Sequence, residues 1–286
     1  MSKVFVVGSG GYVGQALALA MKAHGHRSIR VGRKENLHFD LEHPLDFEYE
    51  ALREDDFVIL SAAVSSPDRC ANDFEYCWNV NVEGSSQFIA NVLAKGSKVI
   101  FISSDAVYAP SFDCTYNEES PTRPMFPYGK MKAEVERRFL ESKNFKAIRL
   151  SYVFSKSDRF TRYLLEKAEK GSHAEIFHPY YRNSISISEV SRTVAWLIAN
   201  WESFSPSILN LAGSELVSRI RVADEVKRLY PSTFDYDIVD APSKFYDTRS
   251  PIIQIESLYL YEFGILEHES FTKRFQRELK KGIDDD

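Results

Sequence analysis

A tyrosine and a lysine four residues apart have the side chains and spacing best suited to proton transfer in this sequence. On a helix, the run Tyr128-Gly129-Lys130-Met131-Lys132 would place the phenol of Tyr128 and the ammonium of Lys132 on one face. Because a neighbouring cation stabilises a phenolate, we predict that Lys132 lowers the pKa of Tyr128 toward the range where general acids and bases work best. The same spacing occurs in many solvated helices, so this interpretation requires support from other motifs.

A glycine-rich turn near the amino terminus gives that support. The apolar, β-branched run 3–7 predicts a strand, and the residues after Gly14 have helical spacing. Gly8 would allow the tight turn, Gly11 would let a pyrophosphate approach the backbone, and Gly14 would permit close packing of helix on strand. The amides and dipole of the helix start would receive the phosphates. We therefore predict a dinucleotide site that includes Tyr12 and Val13, the alternative being an ordinary glycine-rich loop.

The residues after the second predicted strand, 28–32, bear on the choice of dinucleotide. A carboxylate there would bind the ribose 2′-hydroxyl of NAD, whereas this chain has Arg33 and Lys34. A guanidinium suits the 2′-phosphate of NADP, so Arg33 favours NADP(H) over NAD(H). The alternative is that both cations are solvated loop charges.

Composition excludes several other classes of protein. The 286 residues are 44% hydrophobic, which is enough for a substantial core. No apolar stretch of 18 residues and no charged-then-apolar leader occurs, so we expect a cytoplasmic protein without a membrane span. Three cysteines without a Cys-x-x-Cys pair and seven histidines without ligand spacing predict no metal site. The net charge of −5, with dispersed cations, argues against nucleic-acid binding.

Strand-like and helical segments alternate through the first half of the chain. Helices are predicted over 71–94 and 129–140, and strands over 57–63, 98–103 and 146–150. This alternation predicts an α/β fold with a Rossmann-type, doubly wound parallel sheet. We place the NAD(P)-binding domain at 1–154 and a smaller C-terminal substrate-binding lobe at 155–286, and we allow the two to interleave. In that lobe, Ser188 is predicted to open a helix.

In their order along most of the chain, the motifs resemble those of the extended short-chain dehydrogenase/reductases that act on nucleotide-linked sugars. The matching pieces are Gly8/Gly11/Gly14, Asp40-Leu41, Ala62-Ala63, Asn81-Val82-Glu83-Gly84, Ser103-Ser104-Asp105-Ala106-Val107-Tyr108, Tyr128-Gly129-Lys130-Met131-Lys132, Arg149-Leu150 and Arg182-Asn183-Ser184-Ile185-Ser186-Ile187.

The resemblance implies roles for individual residues. Ser104 would hydrogen-bond the reacting sugar oxygen, Tyr128 would pass the proton, and Lys132 would hold the nicotinamide ribose. For the cofactor, the resemblance implies that Asp40 and Leu41 meet the adenine, that the backbone of Ala62, Ala63 and Val64 lines the dinucleotide, and that Asn81 fixes the geometry around it. For the substrate, it implies contacts from Asp105, from Arg182 with the diphosphate, and from Arg249 in a late Arg-Pro-like element.

The residues after Ser104 narrow the reaction. Sugar 4,6-dehydratases of this group carry Asp-Glu there, whereas this chain has Asp105 followed by Ala106. Dehydration is therefore disfavoured, and the chain is most similar to the dTDP-4-dehydrorhamnose reductases and related NDP-4-keto-6-deoxysugar reductases. The resemblance implies an enzyme that reduces a nucleotide-linked keto-sugar with NAD(P)H, using Tyr128 as the general acid.

Two alternatives stay open beside reduction. One is an NDP-sugar epimerase that retains NAD, and the other is a non-catalytic regulatory subunit of the same fold, such as the accessory subunit of methionine adenosyltransferase. The resemblance also implies a homodimer that associates through the two helices predicted over 71–94 and 129–140.

Overall fold

In the computed structural model, which describes residues 2–280, the chain forms a central parallel sheet, covering helices and a smaller lobe. The strands are β1 Lys3–Val7, β2 Arg27–Val31, β3 Phe57–Leu60, β4 Lys98–Ser104, β5 Thr115–Tyr116, β6 Phe145–Leu150, β7 Val153–Phe154, β8 His173–His178, β9 Tyr181–Arg182, β10 Ile185–Ser186, β11 Ile208–Leu211, β12 Val217–Ser218, β13 Asp235–Asp240 and β14 Ile252–Ile255. The helices are α1 Tyr12–Ala23, α2 Pro67–Asn72, α3 Phe74–Trp78, α4 Ser85–Ala94, α5 Pro127–Phe139, α6 Arg159–Glu169, α7 Ile187–Ala199, α8 Arg219–Leu229 and α9 Phe271–Lys280.

The central sheet has the strand order β11-β6-β4-β3-β1-β2, and all its pairs are parallel. Every residue of β3 and β6 is buried, as expected for strands covered on both faces. One face packs against α1 and α7, and the other against α4 and α5. The predicted α/β fold with a doubly wound parallel sheet is confirmed.

The order of the strands determines where a ligand can bind. The chain passes from β1 to β2 on one side of β1 and then crosses to β3 on its other side. Loops that leave the carboxyl ends of β1 and β3 therefore diverge, which opens a crevice at this edge of the sheet.

The smaller lobe is built mainly from α6, α8, α9 and the parallel pair β8 and β13. Its core contains the aromatic side chains of Phe154, Phe234, Phe271 and Phe275. The chain returns from this lobe to the main sheet, where β11 pairs with β6 and α7 packs against α1. The two units are thus interleaved, and a boundary at residues 154 and 155 stays a prediction.

Two helix boundaries differ from those predicted. The predicted helix 71–94 starts earlier and is interrupted at Asp73, whose φ of −133° lies outside the helical region. After α3 it continues through a π-helical segment, Asn79–Gly84, into α4. The predicted start at Ser188 is also wrong, because the hydroxyl of Ser186 accepts a hydrogen bond from the amide of Glu189, whose carboxylate accepts one from the amide of Ser186. This capping box starts α7 at Ile187.

A buried ion pair fastens α5 to the sheet. The guanidinium of Arg149 in β6 binds the carboxylate of Glu136 in α5 at 2.6 Å, and both side chains are almost fully buried. Ser103 in β4 donates a second hydrogen bond to the same carboxylate, and Arg149 also donates to the hydroxyl of Tyr108. These contacts therefore fix the position of α5, which carries Tyr128 and Lys132, relative to β4 and β6.

No helix within residues 2–280 is both long and apolar enough to cross a membrane. Cytoplasmic residence and the homodimer stay predictions.

We expect Glu136→Ala to lower the free energy of unfolding by about 3–5 kcal/mol, because it leaves the guanidinium of Arg149 buried without its partner. Urea unfolding followed by circular dichroism measures this. Glu166→Ala is the control, since Glu166 faces only Arg162 at 3.8 Å on the exposed side of α6, and a surface pair of that kind contributes about 0.5 kcal/mol or less. Equal small losses in the two variants would contradict the proposed fastening role.

Candidate active site

A crevice of about 1030 Å³ lies at the carboxyl ends of the central strands. It brings together most of the residues predicted from the sequence, namely Gly8, Gly11, Tyr12, Val13, Arg33, Asp40, Leu41, Ala62, Ala63, Val64, Ser104, Asp105, Tyr128, Lys132, Arg182 and Arg249. Gly14 and Asn81 do not line this crevice. They contact residues that do, because Gly14 packs against Gly8 and Asn81 hydrogen-bonds with Val64.

The glycine turn has the backbone that a pyrophosphate site requires. Gly8 has a φ of +87°, and a Cβ there would lie 2.6 Å from the amide nitrogen of Ala62. A Cβ on Gly14 would lie 2.2 Å from the carbonyl oxygen of Gly8, so α1 can approach β1 this closely only with glycine. Gly11 caps α1 without a side-chain acceptor, which leaves the first amides of the helix available to an anion. These residues fit the phosphates of a dinucleotide.

Asn81 holds the backbone that follows β3, next to the glycine turn. From the π-helical segment, its side-chain oxygen accepts a hydrogen bond from the amide of Val64 at 2.7 Å, and its side-chain nitrogen donates to the carbonyl of Val64 at 2.9 Å. Such a paired contact fixes the backbone of residues 62–64 after β3. A π turn in this place agrees with the frequent occurrence of π-helical distortions at functional sites.

Charges of both signs lie where the crevice meets the end of β2. Arg33 has a side chain 73% exposed and faces Asp40 at 3.7 Å. Glu35 lies beside it and is bound by two hydrogen bonds from Arg30, which lower the pKa of Glu35. The sequence analysis missed Glu35, although a carboxylate just after β2 is the feature that marks a ribose ligand. The crevice thus offers both a cation and an anion at its adenosine end.

Tyr128 and Lys132 lie on the crevice-facing side of α5. The hydroxyl of Tyr128 forms no hydrogen bond with another of the described residues. The ammonium of Lys132 donates to the carbonyl of Ile102 at 2.7 Å and lies 5.8 Å from the centroid of the Tyr128 ring. The lysine therefore sits beside the aromatic ring rather than at the phenolic oxygen.

This position overturns the predicted effect of Lys132 on the pKa of Tyr128. Burial raises the pKa of Tyr128 above its usual value, and the nearby carboxylate of Asp105 acts in the same direction. Burial also lowers the pKa of Lys132 to about 8, against the opposing pull of Glu136. The physical reason is desolvation, which disfavours the charged form of each group. Tyr128 consequently holds its proton at neutral pH.

Ser104 and Asp105 form the floor of the crevice below Tyr128. The hydroxyl of Ser104 donates to the carboxylate of Asp105 at 3.2 Å and accepts a hydrogen bond from the amide of Ala106. A Cβ on Gly129 would lie 2.0 Å from the carbonyl oxygen of Ala106, so α5 approaches this turn as closely as a glycine permits. That approach explains why glycine follows Tyr128.

Arg182 reaches the same floor from the smaller lobe. Its Nε lies 3.2 Å from the carboxylate of Asp105, and its other nitrogens donate to the carbonyls of Tyr181 and Ser250. Both partners of the pair are buried, so this is not a surface ion pair. Burial raises the pKa of Asp105, while the charge of Arg182 opposes that shift.

Arg249 lies at the outer rim of the crevice. It binds the carboxylate of Asp68 at 2.6 Å, and Thr248 donates to the other oxygen of that carboxylate. Its guanidinium carbon lies 4.6 Å from the centroid of the Phe245 ring. The pair Asp68 and Arg249 therefore links the first turn of α2 to the segment before β14.

Tyr180 and Arg219 were not predicted as site residues. The guanidinium carbons of Arg182 and Arg219 each lie 4.5 Å from the centroid of the Tyr180 ring. No sequence motif includes Tyr180 or Arg219. Their proximity depends on the contact between α8 and β9, which no local sequence pattern reveals.

Within residues 2–280, no group of three or more His, Cys, Asp or Glu side chains is arranged to hold a metal ion.

Comparison with known proteins identifies related sequences. The model of the RmlD substrate binding domain matches residues 2–241. Spore coat polysaccharide biosynthesis protein SpsK of Bacillus subtilis (strain 168) is 24% identical over 253 residues, covering 88% of this chain and 87% of that protein. Methionine adenosyltransferase 2 subunit beta of Bos taurus is 25% identical over 259 residues, covering 84% and 76%.

Solved structures share the fold at low identity. A dTDP-4-dehydrorhamnose reductase from Bacillus anthracis str. Ames, in complex with NADP, superposes with a TM-score of 0.83 at 16% identity and covers 97% of this chain and 98% of that chain. A UDP-glucose-4-epimerase from Stenotrophomonas maltophila, with bound NAD and formylated UDP-arabinopyranose, has a TM-score of 0.81 at 18% identity and covers 97% and 96%.

The lowered pKa of Lys132 predicts a stability that depends on pH. Between about pH 8 and its ordinary pKa of 10.5, the unfolded lysine holds a proton that the folded one has released. The unfolded state then binds more protons, so this residue makes the free energy of unfolding rise with pH, by up to about 1.4 kcal/mol per pH unit. The free energy of unfolding of the wild type and of Lys132→Met can be measured in urea from pH 7 to 10. The difference between the two proteins should be constant below pH 8, and above pH 8 it should change in favour of the wild type.

The exposed Lys130 of the same helix supplies the control for that measurement. Lys130→Met should follow the wild type at every pH. A difference between the wild type and Lys132→Met that stays constant up to pH 10 would show that Lys132 keeps its ordinary pKa.

Proposed function

The chain belongs to the family described as the RmlD substrate binding domain, and from this premise we propose that it uses NAD(P)H to reduce a keto group on a nucleotide-linked sugar. The resemblance to dTDP-4-dehydrorhamnose reductases is confirmed at the level of the family and of the fold. The keto-sugar reaction, the cofactor preference and the residue roles below are our proposals.

The observation that carries the proposal is one crevice containing a protonated phenol, a hydroxyl and an ammonium next to a dinucleotide-type glycine turn. Bound NAD(P)H supplies the hydride for the reduction. Ser104 donates a hydrogen bond to the sugar carbonyl oxygen, and Tyr128 gives that oxygen its proton as the alkoxide develops. Tyr128 is protonated at neutral pH, which a general acid must be before the reaction.

Lys132 has two parts in the proposed reaction. It would hold the nicotinamide ribose by hydrogen bonds, and it would keep a positive charge beside the reduced ring of the cofactor. Both parts require the protonated amine. The hydrogen bond to Ile102 keeps the amine within reach of the crevice.

We propose that the smaller lobe provides the binding site for the diphosphate of the substrate. Arg182 and Arg249 line the crevice, and guanidinium groups match phosphate oxygens in two-point hydrogen bonding. Their partners Asp105 and Asp68 hold them in position.

Two alternatives have support of their own. The structural similarity to an epimerase with bound NAD favours an NDP-sugar epimerase, which would retain its cofactor and consume no NADPH. The sequence similarity to methionine adenosyltransferase 2 subunit beta favours a regulatory subunit. Ser104, Tyr128 and Lys132 are all present and line one crevice, which supports catalysis over a purely regulatory role.

The proposal is tested by incubating the protein with NADPH and a panel of NDP-4-keto-6-deoxysugars, following the loss of absorbance and identifying the product. We expect Tyr128→Phe to lower kcat/KM by about 10²–10⁴, because the carbonyl oxygen loses its proton donor. Binding of NADPH should be unchanged. Tyr230→Phe, at the exposed end of α8, is the control and should keep wild-type turnover. Full turnover in Tyr128→Phe would remove the proposed acid from the reaction.

The charges after β2 predict the cofactor preference. Arg33→Ala should raise KM for NADPH about tenfold, which corresponds to about 1.4 kcal/mol, and leave KM for NADH unchanged, since only NADPH has the 2′-phosphate. Glu35→Gln should improve the use of NADPH by removing a repulsive carboxylate. Arg27→Ala, at the opposite end of β2, is the control for net charge. Identical ratios of NADPH to NADH activity in all four proteins would exclude these residues as selectors.

A further inference from the structure

The phenol of Tyr12 connects the glycine turn to the smaller lobe. Its hydroxyl donates a hydrogen bond to the hydroxyl oxygen of Ser155 at 2.9 Å, although the two residues are 143 positions apart. Tyr12 lines the crevice, whereas Ser155 is buried in the segment that leads from β7 into α6. A direct contact therefore joins the dinucleotide end of the crevice to the lobe that we propose to bind the substrate.

Asp158 extends this contact to a second residue of the crevice. One oxygen of its buried carboxylate accepts a hydrogen bond from the amide of Ser155 at 3.0 Å. The other oxygen accepts hydrogen bonds from the hydroxyl of Tyr152 and from the amides of Phe160 and Thr161, and so caps α6. Tyr152 also lines the crevice. Through Ser155 and Asp158, two lining residues of the crevice therefore share one set of hydrogen bonds with the start of α6.

The backbone of Tyr12 belongs to the turn that would hold the phosphates of a dinucleotide, because Tyr12 is the first residue of α1. Phosphate bound to the amides of this turn restricts the backbone of Tyr12 and, through the hydrogen bond, the position of Ser155. A second ligand that needs the same segment in place then binds at a lower entropic cost. By thermodynamic linkage the effect is reciprocal, so each ligand strengthens the binding of the other.

We propose that Tyr12 is a positioning residue whose hydroxyl couples two binding events, that of a dinucleotide at the glycine turn and that of a nucleotide-linked sugar at the smaller lobe. Each event makes the other more favourable. This rests on the proposed function, which supplies the two ligands. The variant Tyr12→Phe keeps the ring and the backbone of the glycine turn and removes the hydrogen bond to Ser155. Its effect therefore isolates the coupling.

Isothermal titration calorimetry measures the coupling with UDP and dTDP as probes, because neither carries a keto group for NADPH to reduce. The coupling factor is the dissociation constant of the probe without NADPH divided by that with saturating NADPH. We expect a factor of about five in the wild type and close to one in Tyr12→Phe, since the net contribution of one hydrogen bond corresponds to about a two- to tenfold change in affinity. A residue that only supported the fold would change both dissociation constants together and leave their ratio unchanged.

Tyr76→Phe is the matched control, because Tyr76 also lines the crevice but its hydroxyl donates to Glu42, outside the smaller lobe. It should keep the wild-type coupling factor. Ser155→Ala removes the acceptor and should lower the factor as Tyr12→Phe does, and the double variant should lose no more than either single variant. A wild-type coupling factor of one, or a folded Tyr12→Phe protein that keeps the wild-type factor, would overturn the inference.

Hydrogen exchange of the wild type with NADPH alone covers the case in which the variants do not fold. The amides of Phe160 and Thr161 donate to the carboxylate of Asp158, so their exchange should slow when NADPH binds, together with the exchange of residues 8–14. Slower exchange that is confined to the glycine turn overturns the inference.

The binding results separate this inference from the proposed reaction. A coupling factor that depends on the hydroxyl of Tyr12, without NADPH oxidation by any keto-sugar, supports the inference and counts against the reductase. Keto-sugar reduction with an unchanged coupling factor in Tyr12→Phe supports the reductase and overturns the inference. A wild-type protein that binds no dinucleotide, or neither UDP nor dTDP, overturns both.

Discussion

The attachment of one face of α5 to the central sheet is the constraint on which the candidate site depends. Gly129 meets the backbone after β4, Lys132 binds the carbonyl of Ile102, and Glu136 binds Arg149 and Ser103. These residues are three and four positions apart, so they share one face of the helix. Tyr128 lies directly before Gly129 and one turn before Lys132, so these contacts also fix the position of the phenol in the crevice. A rotation of α5 that displaced the phenol would therefore break all three attachments.

Burial determines the chemistry of this face more than the spacing of its charges does. The sequence predicts an acidified phenol from a nearby lysine, whereas the fold buries Lys132, leaves Tyr128 half-buried in the crevice wall and places the ammonium 5.8 Å from the centroid of the ring. Desolvation favours the neutral forms of both side chains. A neutral phenol is the starting state of a proton donor, so reduction remains chemically consistent although the predicted electrostatics are wrong.

The parts of the fold that could be predicted follow from local patterns. The glycine spacing before α1 follows from a tight turn and a close packing of helix on strand, and the apolar runs of β3 and β6 follow from burial on both faces of the sheet. Each of these causes acts on a short segment and leaves a pattern in its sequence. Contacts between distant segments could not be predicted. The pairing of Arg182 with Asp105 joins residues 77 positions apart, and the approach of Arg219 to Tyr180 depends on how α8 meets β9. The interruption at Asp73 was also missed, because the apolar period continues across it.

The energetic cost of the buried charged groups argues for a functional crevice. Lys132, Asp105 and Arg219 each have a pKa shifted by burial against the charged form, which means that each opposes folding in its charged state. A protein that used this fold only as a scaffold would be at least as stable with apolar side chains of similar volume in their place. Lys132 and Asp105 border the crevice, and Arg219 lines a small recess beside it. Ligand binding offsets their cost, and perturbed groups that converge in this way are typical of catalytic sites.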